Sequence, residues 1–301
     1  MLLVTGAAGF LGSNVLRAAE AAGREVVAAV RNGNSSVPSV RVVCGDLTDR
    51  AAASEMIASV RPQWVLNCAA LANLDECERD PSRAREANTG AAANLAMACA
   101  EFGARLAHVS TDSVFDGSRG RYVESDVPSP LNVYAQSKLE GENEVRSILP
   151  DALVVRTNFI GMPVIRGSGL ADWIATSLEK GEPINGYKDV IFSPLLATTL
   201  AEHLLLMMDS ELEGLYHLSA RDSISKYDFA VCIAREMGHA NAQIARKSLA
   251  DMPMTVRRPL DTSLVPSRVE EALGVRMPSV DDAVVGFVAQ RRASNSPAVV
   301  V

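Results

Sequence analysis

The stretch that decides the fold is Met1-Leu2-Leu3-Val4-Thr5-Gly6-Ala7-Ala8-Gly9-Phe10-Leu11-Gly12. It predicts an apolar strand, a turn with glycines at a spacing of three, and a helix that continues over Val15 to Ala22. A second strand, Glu25 to Val30, follows. In this context the glycines let backbone N–H groups and the helix N-terminus face a pyrophosphate. We therefore predict a dinucleotide site rather than a merely structural turn, with contacts from Gly6, Gly9, Phe10, Leu11 and Gly12.

Strands and helices alternate along the first half of the chain. This alternation predicts an α/β fold with a doubly wound, mainly parallel sheet of the Rossmann type. Further strands are predicted over residues 40–43, 64–70, 105–109, 152–156, 190–194 and 214–219, and helices over 84–102, 170–180, 196–208, 227–237 and 266–273 and around Tyr134. We predict a dinucleotide-binding domain over residues 1–160, to which residues 188–218 return. A smaller C-terminal substrate-binding lobe is predicted over 161–301, with a loop over 163–169 and an irregular tail over 294–301.

Composition excludes several classes of function. The 301 residues carry a net charge of −7 with no basic run, which argues against nucleic acid as a partner. No apolar run approaches the ~18 residues that a membrane span needs. The five cysteines are scattered, without the spacing of a zinc or redox motif, and no metal site is predicted. No charged segment precedes the first apolar run, so we expect a cytoplasmic protein.

Residues that follow the first strands are candidates for cofactor contact. Arg31 stands where an NAD-binding unit usually has an acid, so it favours the 2′-phosphate of NADPH, although NADH stays possible and Arg31 could instead be a solvated loop residue. Asp46 could bind the adenine amino group or cap the helix that begins near Arg50. Small residues after the fourth strand permit close approach of a ligand. The predicted contacts are Arg31, Asp46, Leu47, Ala69 and Ala70.

Polar groups collect at the end of the fifth strand and in a later helix. Ser110 to Gly117 bring hydroxyls and carboxylates to a strand end, where open α/β sheets bind ligands. Tyr134 and Lys138 lie four residues apart, so a helix places the phenol and the ammonium on one face. A nearby cation could stabilise the phenolate, whereas an ordinary amphipathic helix is the alternative. Asn88, in the helix over 84–102, needs a partner if it is buried.

Three motifs together resemble the extended short-chain dehydrogenase/reductase family. They are Gly6-x-x-Gly9-x-x-Gly12, Ser110-Thr111-Asp112 and Tyr134-x-x-x-Lys138. With the stretch from Asn67 to Ala70 and the late stretch from Arg257 to Leu264, they are most similar to the dTDP-4-dehydrorhamnose reductase branch. The resemblance implies that Tyr134 donates a proton to the substrate carbonyl oxygen and that Thr111 hydrogen-bonds the same oxygen. Lys138 would hold the nicotinamide ribose and lower the Tyr134 pKa.

The resemblance also implies a substrate and its contacts. The expected reaction is NADPH-dependent reduction of the 4-keto group of a nucleotide-linked 4-keto-6-deoxy sugar. Asn88 would orient a water or backbone group near the lysine, and Arg258 would clamp the diphosphate unless it forms a surface ion pair. Asp112-Ser113 departs from the Asp-Glu pair of the dehydratases, and Phe159 stands where the branch commonly has Trp. The implied substrate contacts are Asp112, Val114, Phe115, Asn158 and Arg258.

Two alternatives belong to other classes of function. The first is a non-catalytic NADP-binding regulatory subunit resembling the β subunit of methionine adenosyltransferase. The second is an NAD-dependent sugar-nucleotide epimerase, against which Arg31 speaks because an acid is missing there. The resemblance also raises the possibility of a homodimer.

Overall fold

The computed structural model describes residues 1–33, 39–162, 169–251 and 255–295. The strands are β1 (Leu2–Thr5), β2 (Val26–Val30), β3 (Arg41–Cys44), β4 (Trp64–Asn67), β5 (Arg105–Thr111), β6 (Leu153–Thr157), β7 (Phe159–Ile160), β8 (Ile184–Tyr187), β9 (Ile191–Phe192), β10 (Leu195–Leu196), β11 (Gly214–Leu218), β12 (Ile224–Ser225) and β13 (Ile244–Lys247). The helices are α1 (Phe10–Ala21), α2 (Arg50–Val60), α3 (Leu74–Arg79), α4 (Pro81–Arg85), α5 (Ala91–Phe102), α6 (Val133–Ile148), α7 (Leu170–Lys180), α8 (Ala197–Asp209), α9 (Lys226–Met237), α10 (Ser267–Leu273) and α11 (Val280–Asn295).

Seven parallel strands form the central sheet, in the order β3-β2-β1-β4-β5-β6-β11. The chain moves outward from β1 to β3 and then returns to the other side of β1 at β4. The crossovers on the two sides of β1 therefore diverge, which opens a crevice at the carboxyl ends of β1 and β4. This topology confirms the predicted doubly wound fold.

Strand alternation divides the apolar side chains between two layers. In β1, Val4 belongs to the core shared with α1 and α8, whereas Leu3 belongs to the core shared with α2 and α5. The first of these cores continues into the second half of the chain, where it includes Phe229 and Phe287. Although β11 returns to the central sheet, the division into a domain over 1–160 and a separate C-terminal lobe stays a prediction.

Three pairs of short strands lie outside the central sheet: β7 with β10, β8 with β13, and β9 with β12. The predicted strand over 190–194 is reduced to β9, and α11 was not predicted. The predicted helix over 84–102 is instead α4, a π-helical turn over Glu86–Gly90, and α5. The predicted loop and tail lie mostly outside the described residues, at 163–168 and 296–301.

None of the helices in the described parts of the chain combines the length and the apolar character needed to cross a lipid bilayer.

Candidate active site

The glycine turn after β1 is closed by short contacts. Gly9 N–H donates to the Gly6 carbonyl at 2.8 Å. Gly6 has φ +62°, and a Cβ there would lie 2.7 Å from the Ala69 nitrogen. A Cβ on Gly12 would lie 2.3 Å from the Gly6 oxygen. Gly9 is the N-cap of α1 and no side chain of the described residues caps this helix, so the first backbone N–H groups of α1 can donate to a ligand in this glycine cradle.

A cavity of about 280 Å³ continues from this turn across the ends of the neighbouring strands. Thr48 donates to Asp46 Oδ1 through its backbone N–H at 3.0 Å and its hydroxyl at 2.9 Å. These bonds, with the weaker influence of the Arg31 cation, lower the pKa of Asp46. The alternative role of Asp46 as a helix cap is wrong, because Asp49 caps α2. The structure brings together six predicted cofactor residues, Gly6, Arg31, Asp46, Leu47, Ala69 and Ala70.

Arg83 also lines this cavity and was missed by the sequence analysis. It lies in α4 and pairs with Glu76 at 2.6 Å, which holds the guanidinium at the cavity wall. The sequence offered no local indication of this position, because α4 reaches the cavity only through the tertiary fold. Two arginines, Arg31 and Arg83, therefore border the site, and together with the glycine cradle they suit a dinucleotide that carries extra phosphate.

The end of β5 carries a buried carboxyl group. Asp112 Oδ2 accepts hydrogen bonds from Asn158 Nδ2 at 2.9 Å and from the Thr262 hydroxyl at 2.6 Å. Asp112 Oδ1 accepts from the hydroxyls of Thr111 at 3.2 Å and Ser113 at 3.3 Å. Burial raises the pKa of Asp112, and these four hydrogen bonds oppose the rise. Asp112 thus fixes Thr111 and Asn158 around one point at the strand end.

Helix α6 carries Tyr134 and Lys138 to the same strand end. Asn132 caps the helix by accepting from Ala135 N–H at 2.9 Å. Burial raises the pKa of the half-buried Tyr134 to about 12, while a hydrogen bond with Thr111 opposes the rise. The Tyr134 phenol therefore lies on the same side of the site as the Thr111 hydroxyl, so both could face one carbonyl oxygen.

Lys138 is turned toward β5. Its ammonium donates to the Val109 carbonyl at 2.7 Å, and its Nζ lies 3.3 Å from His108 Nε2. The expectation that Lys138 lowers the Tyr134 pKa is wrong for this structure, because burial dominates and the pKa is raised. Lys138 itself has its pKa lowered to about 8 by burial, against the attraction of Glu142.

Asn88 lies in the π-helical turn and is buried. Its Oδ1 accepts from Leu71 N–H at 2.8 Å, and its Nδ2 donates to the Leu71 carbonyl at 3.1 Å and to the Ser137 hydroxyl at 2.9 Å. Asn88 therefore ties the loop after Ala70 to α6, one residue before Lys138. Asn88 was predicted to orient a water or backbone group near Lys138, and its hydrogen bond to Ser137 is close to that position. Contact of Asn88 with a cofactor stays a prediction.

Two predicted substrate residues do not reach the site. The side chains of Val114 and Phe115 are fully buried in a small core cluster with Tyr122 and Leu264. Phe115 stacks on Tyr122 with a ring distance of 4.1 Å. Their assignment as substrate-binding side chains is therefore wrong, because apolar residues in this short turn gain more from burial than from exposure to a ligand. Phe10 and Leu11 open α1, where Leu11 is buried in the core.

A second cavity, of about 270 Å³, lies between α7, β8 and α9. Arg258 and Lys226 line it together with Trp173 and Tyr187. Burial and the Arg258 cation lower the pKa of Lys226, and Asp112 opposes them. Neither cationic side chain has a hydrogen bond or ion pair to another described residue, so the surface ion pair considered for Arg258 is not observed. Lys226 was not predicted from the sequence as a site residue. With Arg258, it gives the second cavity two cationic side chains.

The fold and site together define a class of protein: a dinucleotide-dependent oxidoreductase of the short-chain dehydrogenase/reductase type. A glycine cradle at β1 and a Thr, Tyr and Lys set at β5 and α6 face the same crevice of the sheet. The chain belongs to the family described as RmlD substrate binding domain, whose model matches residues 1–293.

Comparisons with known proteins place the chain among reductases. It is 33% identical over 93% of its length to a probable low-salt glycan biosynthesis reductase of Haloferax volcanii, of which it covers 94%. It is 34% identical to a dTDP-4-dehydrorhamnose reductase of Mycobacterium tuberculosis, over 85% of this chain and 82% of the other. Another relative, the β subunit of methionine adenosyltransferase 2 of Rattus norvegicus, is 29% identical over 92% of this chain and 84% of the other.

A solved structure supports the same grouping. The dTDP-4-dehydrorhamnose reductase of Bacillus anthracis, determined in complex with NADP, aligns with a TM-score of 0.84 and 25% identity. The alignment covers 96% of this chain and 98% of the other. The predicted resemblance to this branch is confirmed.

Proposed function

We propose that this protein is an NADPH-dependent reductase of the 4-keto group of a nucleotide-linked 4-keto-6-deoxy sugar. The observation that carries the proposal is the convergence of Tyr134 and the buried Lys138 of α6 on the end of β5, where Thr111 lies. Relatives named as dTDP-4-dehydrorhamnose reductases support the choice of substrate class.

The residues of this site suit proton donation to a carbonyl oxygen. A bound NADPH would supply the hydride, so that the C=O group becomes CH–OH after one proton is added. Tyr134, with its pKa raised to about 12, is held in the protonated form that can donate. Thr111 would hydrogen-bond the same oxygen and hold it toward Tyr134. Lys138 would hold the nicotinamide ribose, and its ammonium charge would stabilise the phenolate that Tyr134 becomes after it donates its proton.

The cofactor-binding roles follow from the cradle and its flanking cations. Backbone N–H groups at the start of α1 would receive the pyrophosphate. Arg31 and Arg83 border the cavity that runs over β2 and β3, where they would pair with a 2′-phosphate. Asp46 and the small residues Ala69 and Ala70 would contact the adenosine half. This arrangement favours NADPH over NADH.

The substrate would extend from Tyr134 toward the second cavity. Lys226 and Arg258 place two cationic side chains there without a hydrogen bond or ion pair to another described residue, which suits a diphosphate. Trp173 is 42% exposed and lies in the same wall, where its ring can pack against a nucleobase or sugar. Asn158 is held beside Thr111 by the buried Asp112 carboxylate, and its amide would bind a sugar hydroxyl.

Assays of NADPH oxidation with a panel of dTDP- and GDP-linked 4-keto-6-deoxy sugars test the proposal. Tyr134→Phe should lower kcat by about 100-fold or more, because it removes the proton donor, while NADPH binding should change little. Tyr216→Phe is the matched control, since Tyr216 is a buried tyrosine of β11 away from the crevice. The absence of turnover with every member of the panel would overturn the proposal.

The regulatory alternative predicts cofactor binding without chemistry. The relative among methionine adenosyltransferase β subunits keeps this alternative open, but the complete Thr111, Tyr134 and Lys138 set favours catalysis. Co-purification with a synthetase and no turnover of any keto sugar would support regulation. The epimerase alternative is disfavoured because Arg31 replaces the acid that binds NAD.

The location and the assembly of the protein belong to the proposal as well. All five cysteines are free thiols, in agreement with a reducing cytoplasmic compartment. The homodimer stays a prediction that light scattering of the purified protein would test.

A further inference from the structure

A line of buried polar side chains runs beneath the site from β1 to α6. The Thr5 hydroxyl donates to Asn67 Oδ1 at 2.7 Å. Asn67 Nδ2 lies 3.0 Å from His108 Nδ1, and His108 Nε2 lies 3.3 Å from Lys138 Nζ. Thr5, Asn67, His108 and Lys138 are all buried, with at most 2% of each exposed. No role for His108 is evident from the sequence alone.

The line of hydrogen bonds fixes which nitrogen of His108 carries the proton. Asn67 Oδ1 accepts from Thr5 and also from Ala69 N–H at 3.1 Å, so the amide oxygen must face these two donors. Asn67 Nδ2 then faces His108 and donates to Nδ1. A neutral imidazole whose Nδ1 accepts a hydrogen bond has its proton on Nε2. Burial, and then the Lys138 charge, lower the pKa of His108 well below its usual value, which keeps the ring neutral.

The Nε2–H group therefore points at Lys138. An ammonium group has only donors, so it would place an N–H against an N–H at this contact. A neutral amine keeps a lone pair that can accept from Nε2–H while the amine still donates to the Val109 carbonyl. The hydrogen bonds on both sides of Lys138 are satisfied together only in the amine form.

We propose that His108 is a positioning residue that favours the neutral amine of Lys138 by presenting Nε2–H to it, with Asn67 setting the tautomer. The tautomer of His108 and its effect on Lys138 do not depend on the proposed function, whereas the consequence for catalysis rests on it. If the ammonium form holds the ribose and supports the phenol, His108 sets the pH above which the site loses that form.

Burial and neighbouring side chains also influence the pKa of Lys138. Burial is the largest influence on Lys138 and lowers its pKa, to about 8 in all. Glu142, one turn further along α6, and Cys68, at the end of β4, act against burial and favour the ammonium. Tyr134, one turn earlier, is held as a neutral phenol. His108 faces Lys138 from β5, and among these four neighbours it is the one whose side chain lies within hydrogen-bond distance of Nζ.

Titration of the lysines in the cofactor-free full-length chain tests the proposal directly. The chain has five lysines, so selective ¹³C labelling gives few signals, and the Lys138 signal is identified by its loss in Lys138→Met. His108→Asn keeps an acceptor for Asn67 near the Nδ1 position but removes Nε2–H. We expect its Lys138 to titrate about 1 pH unit higher than in the wild type. His203→Asn is the control, because His203 bonds Thr199 on α8 away from this line.

A second variant tests the tautomer. Asn67→Asp can still accept from Thr5 and Ala69, but its other oxygen must accept from His108 Nδ1–H. The imidazole would then carry its proton on Nδ1 and offer an Nε2 lone pair to the ammonium, so the ¹⁵N spectrum of this variant should show the Nδ1–H form for His108. The wild-type tautomer is measured independently by ¹⁵N spectra of the four histidines, where we expect the Nε2–H form for His108. This measurement does not depend on the folding of any variant.

The outcomes separate this inference from the proposed function. An Nδ1–H tautomer in the wild type, or an unchanged Lys138 titration in His108→Asn, would overturn the role of His108 even if the enzyme reduces keto sugars. In the active enzyme, the fall of kcat at high pH should move upward in His108→Asn by the same shift as the titration. A shifted titration in a chain without turnover would support the role of His108 and count against the reductase alone.

Discussion

Replacing Glu142 or Arg156 should show how strongly the free energy of unfolding depends on the buried ion pair between these two residues. Arg156 Nε and Nη2 donate to the Glu142 carboxylate at 2.7 to 3.1 Å, and the two side chains are 3% and 1% exposed. The Ser110 hydroxyl also donates to Glu142. Loss of one partner leaves the other charge buried without compensation, which costs about 3–5 kcal/mol. We expect this loss in both Glu142→Leu and Arg156→Met.

The double variant should behave differently from either single one. With both charges gone, two apolar side chains fill the same space, and only the Ser110 hydroxyl loses an acceptor, at about 1 kcal/mol. Urea unfolding followed by circular dichroism measures all three variants. At an m-value of about 3 kcal/mol/M, each single variant should lower the unfolding midpoint by about 1 M or more, and the double variant by much less. Strictly additive losses, or single losses below about 1 kcal/mol, would refute the reasoning.

Three further predictions concern the cofactor, acid stability and helix packing. Arg31→Asp should shift the NADPH to NADH ratio of kcat/KM toward NADH by about 10-fold or more, since it replaces the phosphate partner with a like charge; an unchanged ratio would contradict the role of Arg31. Burial lowers the pKa of His217 to about 3 in the folded chain, from 6.5, so the unfolded chain binds more protons between these values and stability falls as pH falls. His217→Gln should flatten the dependence of the unfolding midpoint on pH across that window, and parallel curves for the two proteins would count against it. Gly141→Ala should destabilise by about 1–3 kcal/mol, because the new Cβ would lie 2.6 Å from the Asn88 carbonyl, whereas Gly90→Ala, with its nearest atom at 3.9 Å, is the tolerated control in thermal unfolding.

The sequence predicted correctly those structural features that depend on a local pattern of residues. The glycine turn and the apolar strands depend on contacts within a few residues, and these patterns predicted the sheet and six of the residues that line the cavity beside the glycine turn. Lys226 reaches Arg258 and Asp112 only through the tertiary fold, and no spacing in the sequence brings these three groups together. The same holds for Arg83, which enters the cofactor cavity from α4.

The errors have physical causes as well. Phe115 follows the end of a parallel strand, where open α/β sheets commonly bind ligands, but its stacking on Tyr122 depends on the tertiary fold. The pKa of Tyr134 was expected to follow the nearest cation in sequence, whereas burial in the fold has the larger influence. His108 was detectable in principle, since a histidine inside an apolar strand needs a partner, although that partner lies on another element.

The return of β11 to the sheet has a consequence for synthesis of the chain on the ribosome. Helix α8 packs with α1 in the same core, and β11 covers the open edge of β6. When β6 has been made, neither of these later elements exists, so the apolar face of α1 meets water or a chaperone. About 60 residues must follow before β11 is complete, which takes about 3–12 s at ordinary elongation rates. During that interval the nascent first half of the chain is exposed to aggregation, and a chain cut after β6 should need a chaperone to stay in solution.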